Sequence, residues 1–167
     1  GTALQNFTVI FRQTPQYTGP AHFGSRLAFR SDTTLFVTVG ERMQYDSTSL
    51  SATLAALLPQ QLTGTLGKII RINRDGTVPA GNPSFGVSGA LSTIWSYGHR
   101  NPQGAAVHPS TGDLWVTEHG PLGGDELNRV LPGGNYGLPA VSYGCPYNAT
   151  FPGSDYSSRS IGGGTHS

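Results

Sequence analysis

Three short segments of this 167-residue chain gather the residue types that carry chemistry. The densest is Tyr97-Gly98-His99-Arg100-Asn101-Pro102-Gln103-Gly104, which puts an imidazole, a guanidinium and two amides into one strip. Pro102 and the glycines work against regular secondary structure through it. It reads as a loop held by strands at both ends, placed to meet a polar ligand. Arg100 suits a carboxylate or a carbonyl oxygen, and a turn whose Arg and Asn bond nearby carbonyls is the plainer alternative. The second segment, Glu118-His119-Gly120-Pro121-Leu122-Gly123-Gly124-Asp125-Glu126-Leu127-Asn128, combines three carboxylates with glycines that let backbone carbonyls approach a ligand. Such hard oxygen donors suit Ca²⁺, although the spacing of an EF-hand is absent. A solvated turn whose acids pair with Arg129 is the alternative. The third is His22-Phe23-Gly24-Ser25-Arg26-Leu27. A neutral imidazole at a loop end can act as a general base, with Phe23 lowering its exposure. A histidine hydrogen-bonded within its own loop would look the same.

Other chemistries lack their residues. No Gly-x-Ser-x-Gly elbow and no Gly-x-Gly-x-x-Gly ahead of a helix occurs. The single Cys145 excludes an internal disulfide framework and a multi-cysteine metal site. Ten basic and nine acidic residues leave a net charge of +1, which gives no electrostatic reason to expect nucleic acid or an anionic membrane. No apolar run approaches the ~18 residues of a membrane span.

The elements that must position these segments are mostly strands. Twenty-four glycines and twelve prolines, with only 11% charged residues, describe a loop-rich all-β domain. Strands are expected at 7–11, 26–29, 35–39, 67–73, 93–97, 105–108, 114–117 and 127–131, separated by turns such as Ser31-Asp32-Thr33-Thr34 and Pro109-Ser110-Thr111-Gly112-Asp113. One short helix is expected over 48–58, where Leu50, Leu54, Leu57 and Leu58 share a face before Pro59. The Ser/Gly-rich tail over 154–167 is expected to be poorly ordered. Leu35-Phe36-Val37-Thr38 is echoed by Leu114-Trp115-Val116-Thr117. Each follows a strand and a polar turn, and each leads into a glycine-containing loop with an acid, Gly40-Glu41 or Glu118-His119-Gly120. Repeated antiparallel units in that order are what a β-propeller gives.

In order and spacing the segments resemble the soluble pyrroloquinoline-quinone (PQQ) dehydrogenases of the glucose/sorbosone, or aldose sugar dehydrogenase, family. Leu66-Gly67-Lys68-Ile69-Ile70-Arg71-Ile72 and Gly134-Asn135-Tyr136-Gly137 extend the resemblance over nearly the whole chain. It implies a six-bladed β-propeller, of which 167 residues hold two to three blades, so that the chain is an internal fragment of one propeller domain. It implies His22 as catalytic base, and Arg100, Asn101, Gln103, His119 and Tyr147 beside PQQ. Arg100 would also stabilise charge on the quinone. Gly120 and Pro121 fall where carbonyls hold the Ca²⁺ next to PQQ, and Glu126 and Tyr136 fall on a further Ca²⁺ site. The implied reaction is oxidation of an aldose to a lactone with an external electron acceptor, in a periplasmic or secreted protein. Glu41 stands where relatives usually have Asp, Leu138 replaces a usual Trp, and His119 points to the broader aldose branch. A Ca²⁺-dependent propeller lactonase and a non-catalytic binding propeller are the other readings. The first leaves the Arg-Asn-Pro-Gln strip without its purpose, and the second is opposed by the presence of both His22 and Arg100.

Overall fold

A computed structural model of the chain describes residues 3, 5–17, 20–43 and 58–144. These fold into seven strands in chain order: β1 (Gly24–Phe29), β2 (Thr34–Val39), β3 (Lys68–Asn73), β4 (Ile94–Tyr97), β5 (Pro102–Val107), β6 (Leu114–Glu118) and β7 (Glu126–Val130). They form two antiparallel meanders, β1-β2-β3-β4 and β5-β6-β7, packed as two adjacent blades of a β-propeller. No helix among the described residues is long and apolar enough to cross a membrane. Most of the expected helix lies outside the described residues, and Leu58–Gln60 form a single 3₁₀ turn. The tail over 154–167, Cys145 and Tyr147 also lie outside them.

Alternation on the strands builds two apolar layers. Leu35, Val37, Val39, Ile70, Ile72 and Ile94 fill one face of the first sheet, where Ile10, Phe11, Leu58 and Phe85 cover them. Ala28, Phe36, Ile69 and Trp95 project from the opposite face against Leu114, Val116 and Val130 of the second sheet. At roughly 1.5–3 kcal/mol for each large side chain removed from water, this shared layer is the main force joining the blades. Phe36 meets Trp95 edge to face at 5.4 Å.

Two expectations change. Residues 7–11 form no strand: their β-propensity finds no ladder partner among the described residues, and only Ile10 and Phe11 are used, as cover for the first sheet. Pro102-Gln103-Gly104 does enter regular structure, as the start of β5. Proline is tolerated as the first residue of a strand, and a register shift between Pro102 and Gly104 absorbs the irregularity. After β7 the chain returns to the first blade. Gly133 N donates to Trp95 O at 2.7 Å, Tyr136 N to Tyr97 O at 2.8 Å and Leu138 N to Gly98 O at 2.9 Å. This return strap closes over the segment that carries Arg100.

Beneath that segment lies Lys68, the first residue of β3. It is fully buried, and its ammonium donates to the carbonyls of Leu58, Pro59 and Leu66 at 2.8, 2.9 and 2.7 Å. Burial pulls its pKa down from 10.5 to about 7, while the three acceptors hold the charged form. Pro59 O also accepts from Gly98 N, and Gly67 O from His99 N. The lysine thus fixes the floor on which residues 98–101 rest.

Candidate active site

The ends of β1, β2, β5 and β6 converge at one edge of the two blades. His22 sits two residues before β1 with a left-handed backbone, φ 56°. Its Nδ1 bonds Glu41 Oε1. A carboxylate oxygen accepts, so Nδ1 carries the proton and Nε2 is left as the basic nitrogen. Glu41 is fully buried, whereas the His22 side chain keeps 14% exposure. The close approach of the two loops depends on Gly40, where a Cβ would collide with the His22 carbonyl. Phe23 follows His22 in the loop. It is half exposed and lies under the Arg42 guanidinium, 3.8 Å from its ring centroid.

Arg100 is held from both blades. Its carbonyl accepts from Glu41 N at 2.9 Å, and its own N–H donates to Glu118 Oε1. Its guanidinium donates to the carbonyls of His119 at 3.0 Å and Gly120 at 2.6 Å. Asn101 is buried, and its Oδ1 accepts from Gly24 N at 3.2 Å, tying the Arg100 strip to the His22 loop. Gln103 Oε1 accepts from His119 Nε2 at 3.2 Å, and Gln103 O from Arg26 Nε at 3.2 Å. His22, Arg100, Asn101, Gln103, His119 and Gly120 therefore form one connected surface.

Glu126 and Tyr136 lie on the far side of Glu118. Glu126 is the register partner of Glu118. Burial raises its pKa, Asn128 opposes the rise, and the Glu118 charge adds to it. Tyr136 stacks on His99 at 4.5 Å and donates its hydroxyl proton to Arg129 O at 2.7 Å. Arg129 pairs with Asp113 at 3.0 Å. The alternative in which Arg129 pairs with the acids at 118, 125 and 126 is not what the structure shows: its partner is in the β5–β6 turn. Thr117, Glu118, His119, Asp125, Glu126 and Leu127 line a cavity of about 340 Å³.

Among the described residues, no three His, Cys, Asp or Glu side chains converge as a metal cluster. A cation here would rely on backbone carbonyls. The donor set fits: Gly120 O already faces a cationic guanidinium, and Glu126 carries a carboxylate that burial and Glu118 disfavour. All the donors are hard oxygens of the kind Ca²⁺ takes. A tricarboxylate quinone fits equally, since Arg100 and the amides of Asn101 and Gln103 lie on one strip.

Sequence reasoning missed the importance of His99, Glu41 and Glu118. His99 Nδ1 donates to Glu118 Oε2 at 2.8 Å, and its Nε2 bonds Ser96 Oγ at 2.8 Å. The available signal was the acid that follows each echoed strand.

The family model described as Glucose / Sorbosone dehydrogenase matches residues 1–162. The chain is 41% identical over 145 residues to the aldose sugar dehydrogenase of Escherichia coli, covering 87% of this chain and 36% of that protein. It is 38% identical over 129 residues to quinoprotein glucose dehydrogenase B of Acinetobacter calcoaceticus, covering 72% of this chain and 26% of that one. Among solved structures, the apo form of the Escherichia coli aldose sugar dehydrogenase matches with a TM-score of 0.74 and 40% identity, over 86% of this chain and 38% of that one. The PQQ-bound aldose sugar dehydrogenase of Streptomyces coelicolor matches with a TM-score of 0.59 and 36% identity, over 74% of this chain and 32% of that one. The chain thus spans well under half the length of these relatives.

Proposed function

The chain belongs to the glucose/sorbosone dehydrogenase family, and on that premise we propose that the full-length protein oxidises aldose sugars at the anomeric carbon with PQQ and Ca²⁺. The observation that carries this reading is the His22–Glu41 pair facing the Arg100 strip across the Gly24–Asn101 hydrogen bond. Glu41 holds the imidazole by its Nδ1, which leaves Nε2 of His22 to take the proton of the anomeric hydroxyl. The chemistry that PQQ would supply when bound is acceptance of the hydride of the anomeric carbon, and the sugar would leave as a lactone. Arg100, with Asn101, Gln103, His119 and Tyr147, would hold the quinone and its carboxylates, and Arg100 would stabilise negative charge on a quinone oxygen. Gly120 and Pro121 would supply carbonyls to Ca²⁺ as a Lewis acid, with Glu126 and Tyr136 at a second cation site. An external acceptor then removes the electrons. A periplasmic or secreted setting fits the supply of both groups.

The test is dye reduction by the full-length protein with PQQ, Ca²⁺ and a panel of aldoses. PQQ-dependent reduction that disappears in His22→Ala is expected. Turnover that survives the substitution overturns the assignment of the base, and ester hydrolysis without PQQ overturns the reaction class.

A further inference from the structure

The two blades carry the same device twice. His22 Nδ1 bonds Glu41, and His99 Nδ1 bonds Glu118, with a sequence separation of 19 in both pairs. Each histidine lies shortly before the first strand of its sheet, and each acid at or just beyond the end of the second. The environments differ. His22 reaches solvent, whereas the His99 side chain has no exposure and is closed off by Ser96 on its Nε2 and by the Tyr136 ring on its face. A sealed imidazole cannot exchange protons with a sugar. Glu118, in turn, divides its two oxygens. Oε2 accepts from His99, and Oε1 accepts from the backbone N–H of Arg100. The opposite side of residue 100 is fixed by Glu41, whose N–H donates to the Arg100 carbonyl. The acids of the two blades therefore grip one residue from its two sides.

We propose that Glu118, steadied by His99, is a positioning residue for Arg100, holding its peptide so that the guanidinium meets the cofactor at a fixed angle. The proposal rests on the role assigned above to Arg100 and adds a residue to it. Both oxygens of Glu118 have geometrically fixed partners, and a side chain with only one such bond would be free to pivot. A shift of about 1 Å in a positioned group costs on the order of 10²-fold in rate.

The experiment compares three variants of the full-length protein loaded with PQQ and Ca²⁺. Glu118→Ala is expected to lower kcat by about 10²-fold with KM for the aldose unchanged. Glu118→Gln keeps one acceptor for the Arg100 N–H, and its NH2 can donate to His99 Nδ1 in the other ring tautomer, so it is expected to recover most of that loss. Ser96→Ala loosens the same buried cluster at its other end and should lower the melting temperature while leaving kcat unchanged. Should Glu118→Ala fail to fold, Glu118→Asp is one methylene too short to span His99 and Arg100 together and should show the same defect. If Glu118→Ala and Ser96→Ala lose turnover in proportion to melting temperature, Glu118 is merely structural and the proposal falls. Amide hydrogen exchange at residue 100 separates this from failure of the proposed reaction. Exchange should accelerate in Glu118→Ala, or in Glu118→Asp, and stay unchanged in Ser96→Ala whether or not the protein oxidises sugars. An unchanged rate in the Glu118 variant overturns the proposal.

Discussion

His22–Glu41 and His99–Glu118 are equivalent pairs put to opposite uses. Both join an Nδ1 to a carboxylate across the same sequence separation. The first pair keeps its imidazole partly open to solvent, as the proton transfer proposed for it requires. The second has no exposure at its imidazole. What separates them is the wall around them, since Ser96 and Tyr136 close the second pair, whereas the His22 side chain keeps 14% exposure among the described residues. The same contrast runs through the third strands. Lys68 opens β3 and Glu126 opens β7; both are withdrawn from water, one held by carbonyls and the other left beside a like charge. A repeated scaffold supplies the geometry, and local burial decides whether it becomes chemistry or support.

Exchanging the fates of the two histidines is the hardest test of that contrast. His22→Ala should lower kcat about 10³-fold with little change in melting temperature. His99→Ala should cost about 3 kcal/mol of stability by stranding Glu118, measured by denaturant unfolding. Equal stability losses in the two variants would break the comparison. Next in size, Lys68→Met should destabilise by about 2 kcal/mol, because carbonyls shaped around the ammonium lose their donor. Its pH signature has a definite sign. The folded pKa of about 7 lies below the usual 10.5, so the Lys68 contribution is fullest above the unfolded value and is lost as pH falls through about 7. Melting temperature should carry a component that rises over that window in the wild type and is missing in Lys68→Met.

Smaller again, Glu41→Gln keeps the ring placed but removes the charge behind it. It should cost about tenfold in kcat, read from steady-state kinetics with the aldose KM unchanged. The smallest effect belongs to Glu126. Its folded pKa is raised, so its stabilising protonated form is complete below the unfolded pKa and is lost as pH rises through the folded one. Glu126→Gln should therefore raise the melting temperature of the metal-free protein near neutral pH and leave it unchanged in acid. Added Ca²⁺ should stabilise the wild type more than this variant.

The strands were legible wherever β-branched and aromatic residues run together between turns, as in Leu35–Val39 and Leu114–Thr117. The echo even predicts which residues face the neighbouring blade. Phe36 and Trp115 occupy matching positions, yet Phe36 is 1% exposed and Trp115 36%, because the described chain supplies a blade to cover only the first. Residues 7–11 misled because propensity says nothing about whether a ladder partner exists. The site was half legible. His22 and Arg100 stood out by residue type, and the resemblance supplied their expected roles. The histidine–acid pairs did not stand out, since each joins two loops that only the folded meander brings together. Lys68 was hidden for a different reason: a lysine in a strand is ordinarily taken as solvent-facing.

Lys68 is also the only lysine of the chain. Amine-directed reagents have one ε-amino target here, and in the folded protein that target is closed. Site-resolved acylation of residue 68 would then act as a built-in clock for opening of the floor beneath the Arg100 strip. It would report local loosening of the site that a global melting curve averages away.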